Sequence, residues 1–186
     1  MSTTRNVAVI VGSLRKESFS RKLAKALIAL APPTLKLEIV EIGNLPLYNQ
    51  DNDANPSAAS AAFKQQIQKS DAVLFVTPEY NRSVPGLLKN AIDIASRPYG
   101  HSAWSGKPGA VISNSPGAIG GFGANHALRQ SLVFLNVPAM AQPEAYIGGV
   151  GGMFDDKGTL TNESTREFLQ KFMAAFAQWI ERNATK

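Results

Sequence analysis

The 186-residue chain has no cysteine and only two histidines. Without thiols there is no disulfide framework, no thiolate zinc site and no cysteine nucleophile. His101 and His126 stand at no metal-ligand spacing, so no metal centre is expected. No apolar run approaches the roughly 20 residues that a membrane span needs. The opening Met1-Ser2-Thr3-Thr4-Arg5 has neither the h-region nor the cleavage site of a secretory signal. A cytoplasmic protein with no membrane partner is therefore the expectation. Three catalytic or phosphate-binding strings are also missing. There is no G-x-x-x-x-G-K-[ST] and no G-x-S-x-G. G-x-G-x-x-G fails because Ser13 and Leu14 follow Gly12 where a second glycine is needed.

What is present is a soluble composition, 44% hydrophobic and 18% charged, of a length suited to one domain spanning residues 1–186. The net charge is +5. Its cations are scattered, the tightest groups being Arg15-Lys16 and Arg21-Lys22. No basic run interleaved with aromatics occurs, so nucleic acid is not expected as a partner. Attraction of a small anionic molecule accounts for the charge more simply.

Strand and helix signals alternate along the chain. Val7–Val11 is a short β-branched run bounded by Gly12, and Arg21–Leu30 carries apolar residues at helical spacing. Leu35–Val40 alternates as a strand, after Pro32-Pro33 has stopped the helix. Residues 43–56 read as a long irregular loop and Ser57–Lys69 as a helix. Ala72–Val76 is a continuous apolar run, the mark of a central parallel strand. Then come a helix over Pro85–Ser96, a strand from Pro108 to Ile112, a helix over Asn125–Leu135, a short last strand at Val137–Met140 and a closing helix over Ser164–Arg182. This α/β alternation predicts a doubly wound, five-stranded parallel sheet with helices on both faces. Ligands of such sheets sit at the carboxyl ends of the strands, near the topological switch point. The site is therefore expected in the loops after the first, third and fourth strands.

Those three loops carry the chemistry. The first, Gly12-Ser13-Leu14-Arg15-Lys16-Glu17-Ser18-Phe19-Ser20, enters a helix. Helix N-termini favour phosphate, hydroxyls donate to it singly, and a guanidinium grips two of its oxygens. Ser13, Ser18, Ser20 and Arg15 thus form a candidate phosphate cradle, with helix capping by Ser18 or Ser20 as the plainer reading. A single phosphate held by side chains suits a mononucleotide. The second loop, Thr77–Gly86, contains Pro78, Glu79, Tyr80 and Asn81, a rigid stretch whose amides and aromatic ring suit a planar ligand. The third, Ser113–Gly123, has glycines at 117, 120, 121 and 123, which let backbone approach a ligand directly.

Gly12-Ser13-Leu14-Arg15, Pro78-Glu79-Tyr80-Asn81, Ser83 through Asp93 and the Gly117–Gly121 loop together resemble the NADPH-dependent FMN reductase family, and within it the bacterial chromate/quinone reductases. The resemblance runs from Val7 to about Trp179. It implies a flavodoxin-like fold, bound FMN and the reduction of quinones and other small-molecule acceptors by NADPH or NADH. Carried onto this chain, it assigns Ser13, Arg15, Ser18 and Ser20 to the FMN phosphate. Pro78, Glu79, Tyr80 and Asn81 would line the isoalloxazine, with Ser113 and Gly117 closing the other side. Many relatives place Asn where Ser20 stands. The resemblance also implies a homodimer or homotetramer, paired in part through the helix after the Pro-Glu-Tyr-Asn loop.

The flavin would take the hydride at its N5, so no protein nucleophile or metal is required. For Glu79 the backbone N–H then matters more than the carboxylate. His126 reads as a helix-surface residue, with the flavin edge or a neighbouring subunit as its other possible contacts. Two other functions fit the same loops: a flavodoxin-type electron carrier, and a flavin-binding sensor without turnover.

Overall fold

The computed structural model describes residues 4–184; Met1 to Thr3 of the expected lead-in and the last two residues of the expected domain lie outside them. The strands are β1 (Arg5–Val11), β2 (Leu35–Val40), β3 (Ala72–Pro78), β4 (Gly109–Asn114) and β5 (Ala145–Ile147). The helices are α1 (Phe19–Leu30), α2 (Ala58–Lys69), α3 (Gly86–Ser96), α4 (Phe122–Phe134) and α5 (Glu163–Asn183). All strand pairs are parallel, in the order β2-β1-β3-β4-β5. The order reverses between β1 and β3, so their loops diverge to opposite faces and leave a crevice at the carboxyl edge.

Alternation along β1 divides the core in two. Val7, Val9 and Val11 join Leu23 and Leu27 of α1 and Leu169, Phe172, Phe176 and Ile180 of α5 on one face. Ala8 and Ile10 join Phe63 and Ile67 of α2, Leu88 and Ile92 of α3 and Leu128 of α4 on the other. A strand buried on both faces has no polar side to show, which explains the unbroken apolar runs of β1 and β3. Trp104, fully buried, packs against Phe75 and Phe63 at centroid distances of 5.7 and 6.1 Å. Its indole N–H donates to the Ile92 carbonyl at 2.9 Å, so the ring joins α3 to the sheet without an unpaired polar atom.

The last strand differs from expectation. Val137–Met140 makes one parallel bridge, Ala139 with Gly109, and then leaves the sheet. Pro138 and Pro143 have no N–H to donate, so the ladder cannot continue through this stretch. The chain rejoins β4 at Ala145–Ile147, opposite Ile112–Asn114. Three residues are too few for periodicity to announce a strand. β3 and β4 also outrun their apolar stretches, because the buried polar residues at their ends find partners: the Thr77 hydroxyl donates to the Pro78 carbonyl at 2.7 Å, and that of Ser113 to the Ala145 carbonyl at 3.4 Å.

A bidentate pair ties the start of α1 to the end of β2. The Arg21 guanidinium donates to both Glu41 carboxylate oxygens, at 2.8 and 2.6 Å. These hydrogen bonds hold the Glu41 carboxyl below its usual 4.5. A carboxyl depressed on folding contributes stability that is complete above its unfolded pKa and lost as pH falls through the folded value. Glu41 is largely solvent-exposed, so the contribution is under about 1 kcal/mol. Glu41→Gln is therefore expected to lower the urea midpoint slightly near neutrality, by an amount that shrinks as pH falls below about 4.5.

Candidate active site

The expected cradle assembles at the carboxyl edge. Ser13, Arg15, Ser18 and Ser20 line one cavity of about 120 Å³ together with Phe19, Pro78, Glu79, Tyr80, Asn114, Ser115 and Pro116. Four larger hollows, of about 430, 370, 300 and 170 Å³, include none of the four cradle residues. Volume alone does not identify the site; convergent donors do.

The turn that forms the cradle depends on Gly12. A Cβ there would lie 3.2 Å from both Pro78 Cδ and Thr77 Oγ1, so any larger residue would press the loop after β1 away from the end of β3 by a few tenths of an ångström. Ser18 caps α1, accepting the Arg21 N–H at 3.2 Å. Capping and cradle are compatible, since a hydroxyl that accepts from the backbone still has its proton to give. Ser20 is buried and bonded to Asn114, whose Nδ2 donates to Ser20 Oγ at 2.9 Å and to the Thr77 carbonyl at 3.2 Å. Arg15 lies over the Phe19 ring at 5.6 Å and donates to the Glu17 carbonyl at 3.2 Å. Arg21 and Lys22 are paired with Glu41 and Glu17, leaving Arg15 as the guanidinium on the cavity wall.

The loop after β3 is a tight hairpin. Tyr80 and Ser83 exchange backbone hydrogen bonds at 3.0 Å each, with Asn81 and Arg82 both at positive φ, 51° and 64°. That is the geometry of a two-residue type I′ turn. It corrects the reading of residues 79–81 as a row of free amides, because the Tyr80 N–H is spent on closing the turn. Pro78, Glu79 and Tyr80 reach the cavity; Asn81, at the tip, does not line it. The Glu79 carboxylate accepts the Ala124 N–H at 3.1 Å.

Ser113 and Gly117 are not cavity walls. Ser113 is fully buried and its hydroxyl accepts from Asn125 Nδ2 at 3.3 Å. Gly117 is exposed; its N–H donates to Ser115 Oγ at 3.1 Å and its carbonyl accepts from Gly120 and Gly149. Ser115 and Pro116 take the wall position instead. Asn114 is the residue that sequence reading missed. A polar side chain closing an apolar strand was its only signal.

His126 is half-buried rather than free on the helix surface. Its ring lies against Phe122 at 4.1 Å, tilted by 32°, and shares a 2.9 Å hydrogen bond with the Tyr146 hydroxyl. Burial, reinforced by Glu144, pushes the Tyr146 hydroxyl up to about 12.

The cradle's donors suit a phosphate: hydroxyls, one guanidinium and the N-terminus of α1, with a proline-stiffened hairpin beside them. Residues 5–152 match the model of the NADPH-dependent FMN reductase family. The chain belongs to that family. A quinone reductase of Pseudomonas putida is 66% identical over 184 residues, covering 98% of each chain. A 2-hydroxy-1,4-benzoquinone reductase of a Burkholderia species is 51% identical over 174 residues, covering 94% of this chain and 95% of that one. Among solved structures, FerB, a flavoenzyme NAD(P)H:(acceptor) oxidoreductase from Paracoccus denitrificans, superposes with a TM-score of 0.92 at 47% identity, over 98% of this chain and all of FerB. The flavodoxin-like sheet, FMN and a pyridine-nucleotide donor are thus family properties that this chain shares.

Removing Asn114 strips partners from a buried hydroxyl and a buried carbonyl at once. Asn114→Ala is expected to cost about 1–3 kcal/mol in urea unfolding, whereas Ser115→Ala, on the exposed side of the same wall, stays within about 0.5 kcal/mol.

Proposed function

We propose that this chain is an FMN-dependent NAD(P)H:quinone oxidoreductase of the cytoplasm that works as a homodimer or homotetramer. The observation that carries the reading is the convergence of three serine hydroxyls and Arg15 on one cavity whose other wall is the Pro78–Tyr80 hairpin. Ser13, Arg15, Ser18 and Ser20 would hold the FMN phosphate. Pro78, Glu79 and Tyr80 would line the ring on one side and Asn114, Ser115 and Pro116 on the other. FMN held there would supply the redox chemistry, hydride acceptance from a pyridine nucleotide and two-electron reduction of the acceptor.

The protein's own share of the work is binding and exclusion. Arg15 and the α1 N-terminus neutralise the phosphate, and the fixed hairpin keeps one side of the ring covered. Quinone is the acceptor class because relatives at 66% and 51% identity are named for it. A donor regenerated inside the cell supports the cytoplasmic setting. For assembly the support is apolar surface: Val133 and Phe134 at the end of α4 are 80% and 72% exposed, beside a groove that α4 shares with α3. An electron carrier would take no hydride from a pyridine nucleotide. The net charge of +5 suits attraction of an anionic donor better than that role does.

The flavin absorption of the purified protein is expected to bleach on anaerobic addition of NADPH and to return on addition of a benzoquinone. A spectrum unchanged by both NADPH and NADH would instead identify a carrier or a sensor. Arg15→Ala is expected to weaken FMN binding by at least about tenfold and riboflavin binding by less than about twofold, since it removes a contact to phosphate alone.

A further inference from the structure

Helix α4 begins without a side-chain cap of its own. Its N-cap residue, Gly121, is in the left-handed conformation at φ 78° and offers no side-chain hydrogen bond. The first-turn amides of any helix need acceptors, and the positive end of its dipole favours an anion. Here the acceptor comes from 45 residues earlier in the chain: Glu79 Oε2 receives the Ala124 N–H at 3.1 Å. Glu79 Oε1 lies 3.5 Å from the Arg82 guanidinium, across the hairpin turn, and the carboxylate is only 14% exposed. Gly123 makes room for the contact. A Cβ at that position would stand 2.7 Å from the Arg82 carbonyl oxygen and 2.9 Å from Glu79 Oε2.

These contacts join the two loops that wall the cavity. Pro78, Glu79 and Tyr80 belong to the hairpin after β3; Asn114, Ser115 and Pro116 lead into the glycine loop that ends at α4. We propose that Glu79 is a positioning residue: through Ala124 and the close approach at Gly123, its carboxylate fixes the hairpin against the start of α4 and so sets the spacing of the two walls that hold the flavin ring. The inference rests on the flavin reading of the site. It assigns the Glu79 side chain a role in cofactor geometry with no part in proton transfer.

Two measurements test it, one of them free of any ligand. Hydrogen exchange on the ligand-free protein reads the clamp itself. In Glu79→Ala the Ala124 amide is expected to lose protection by about tenfold, the order expected when one charge-assisted hydrogen bond is lost. In Glu79→Gln, which keeps an acceptor oxygen, most of that protection should return. Fluorescence titration with riboflavin and with FMN reads its consequence. Glu79→Ala should weaken both flavins by the same factor, because the clamp acts on the ring side and not on the phosphate.

Gly123→Ala separates positioning from simple stability. The new methyl group would stand 2.7 Å from the Arg82 carbonyl oxygen, so some loss of thermal stability is expected whatever Glu79 does, and a purely structural role predicts that loss with flavin binding intact. The clamp predicts weaker riboflavin binding in the same variant, because the new methyl group pushes the hairpin outward. Wild-type flavin affinities in both Glu79→Ala and Gly123→Ala would overturn the proposal, as would unchanged Ala124 exchange in Glu79→Ala. A wild-type protein with no affinity for either flavin would overturn the functional reading first, and the positioning role with it.

Discussion

Asn114 holds the carboxyl edge of this sheet together. Its amide donates to the Ser20 hydroxyl of α1 and to the Thr77 carbonyl of β3, while the residue itself ends β4. Three chain segments that share no local sequence contact are thereby fixed at one point, at buried positions where an unmade hydrogen bond is costly. Among the described residues no buried side-chain nitrogen or oxygen lacks a partner. The rest of the site is built outward from that point. The cradle loop ends at Ser20, the hairpin begins just after Thr77, and Ser115 and Pro116 follow Asn114 into the cavity wall.

Around this junction, missing side chains matter as much as those present. Gly12 lets the cradle loop pass within van der Waals contact of Pro78, and Gly123 lets the hairpin rest on α4. Gly120 is tighter still: at φ 65°, a Cβ would lie 2.5 Å from the Tyr146 backbone. These approaches compress three loops into one crevice, the condition for a small set of donors to converge on a ligand. Charge is managed the same way. Arg21 and Lys22 are neutralised by neighbouring carboxylates, so the positive potential of the loop reaches the cavity through Arg15 and the helix end.

Much of the cavity's lining was legible before folding. Ser13, Arg15, Ser18, Ser20, Pro78, Glu79 and Tyr80 come together around one cavity as their loops predicted, because a parallel sheet with a switch point brings the loops after β1, β3 and β4 to one edge. Ser113 and Gly117 were read as ring contacts and stand outside the cavity. Strand alternation turns the Ser113 side chain inward to Asn125, and Gly117 is occupied in turn hydrogen bonds. The type I′ hairpin at Asn81-Arg82 was hidden because its central residues are not the usual Asn-Gly. A left-handed arginine is tolerated there because the exchanged Tyr80–Ser83 hydrogen bonds close the turn.

Local sequence determined the alternation of elements, the identity of β1 to β4 and the five helices, and the three loops that meet at the carboxyl edge. Those properties follow from periodicity, proline and glycine placement and capping residues, which act over a few neighbours. Only tertiary structure decided where the fifth strand lies, which serine is tied to Asn114, and that the Glu79 carboxylate bonds to the start of α4. Each of these depends on a hydrogen bond between residues more than thirty positions apart in the chain, or on a proline interrupting a ladder whose partner strand is remote. Such partners exist only once the sheet has brought its loops to a common edge.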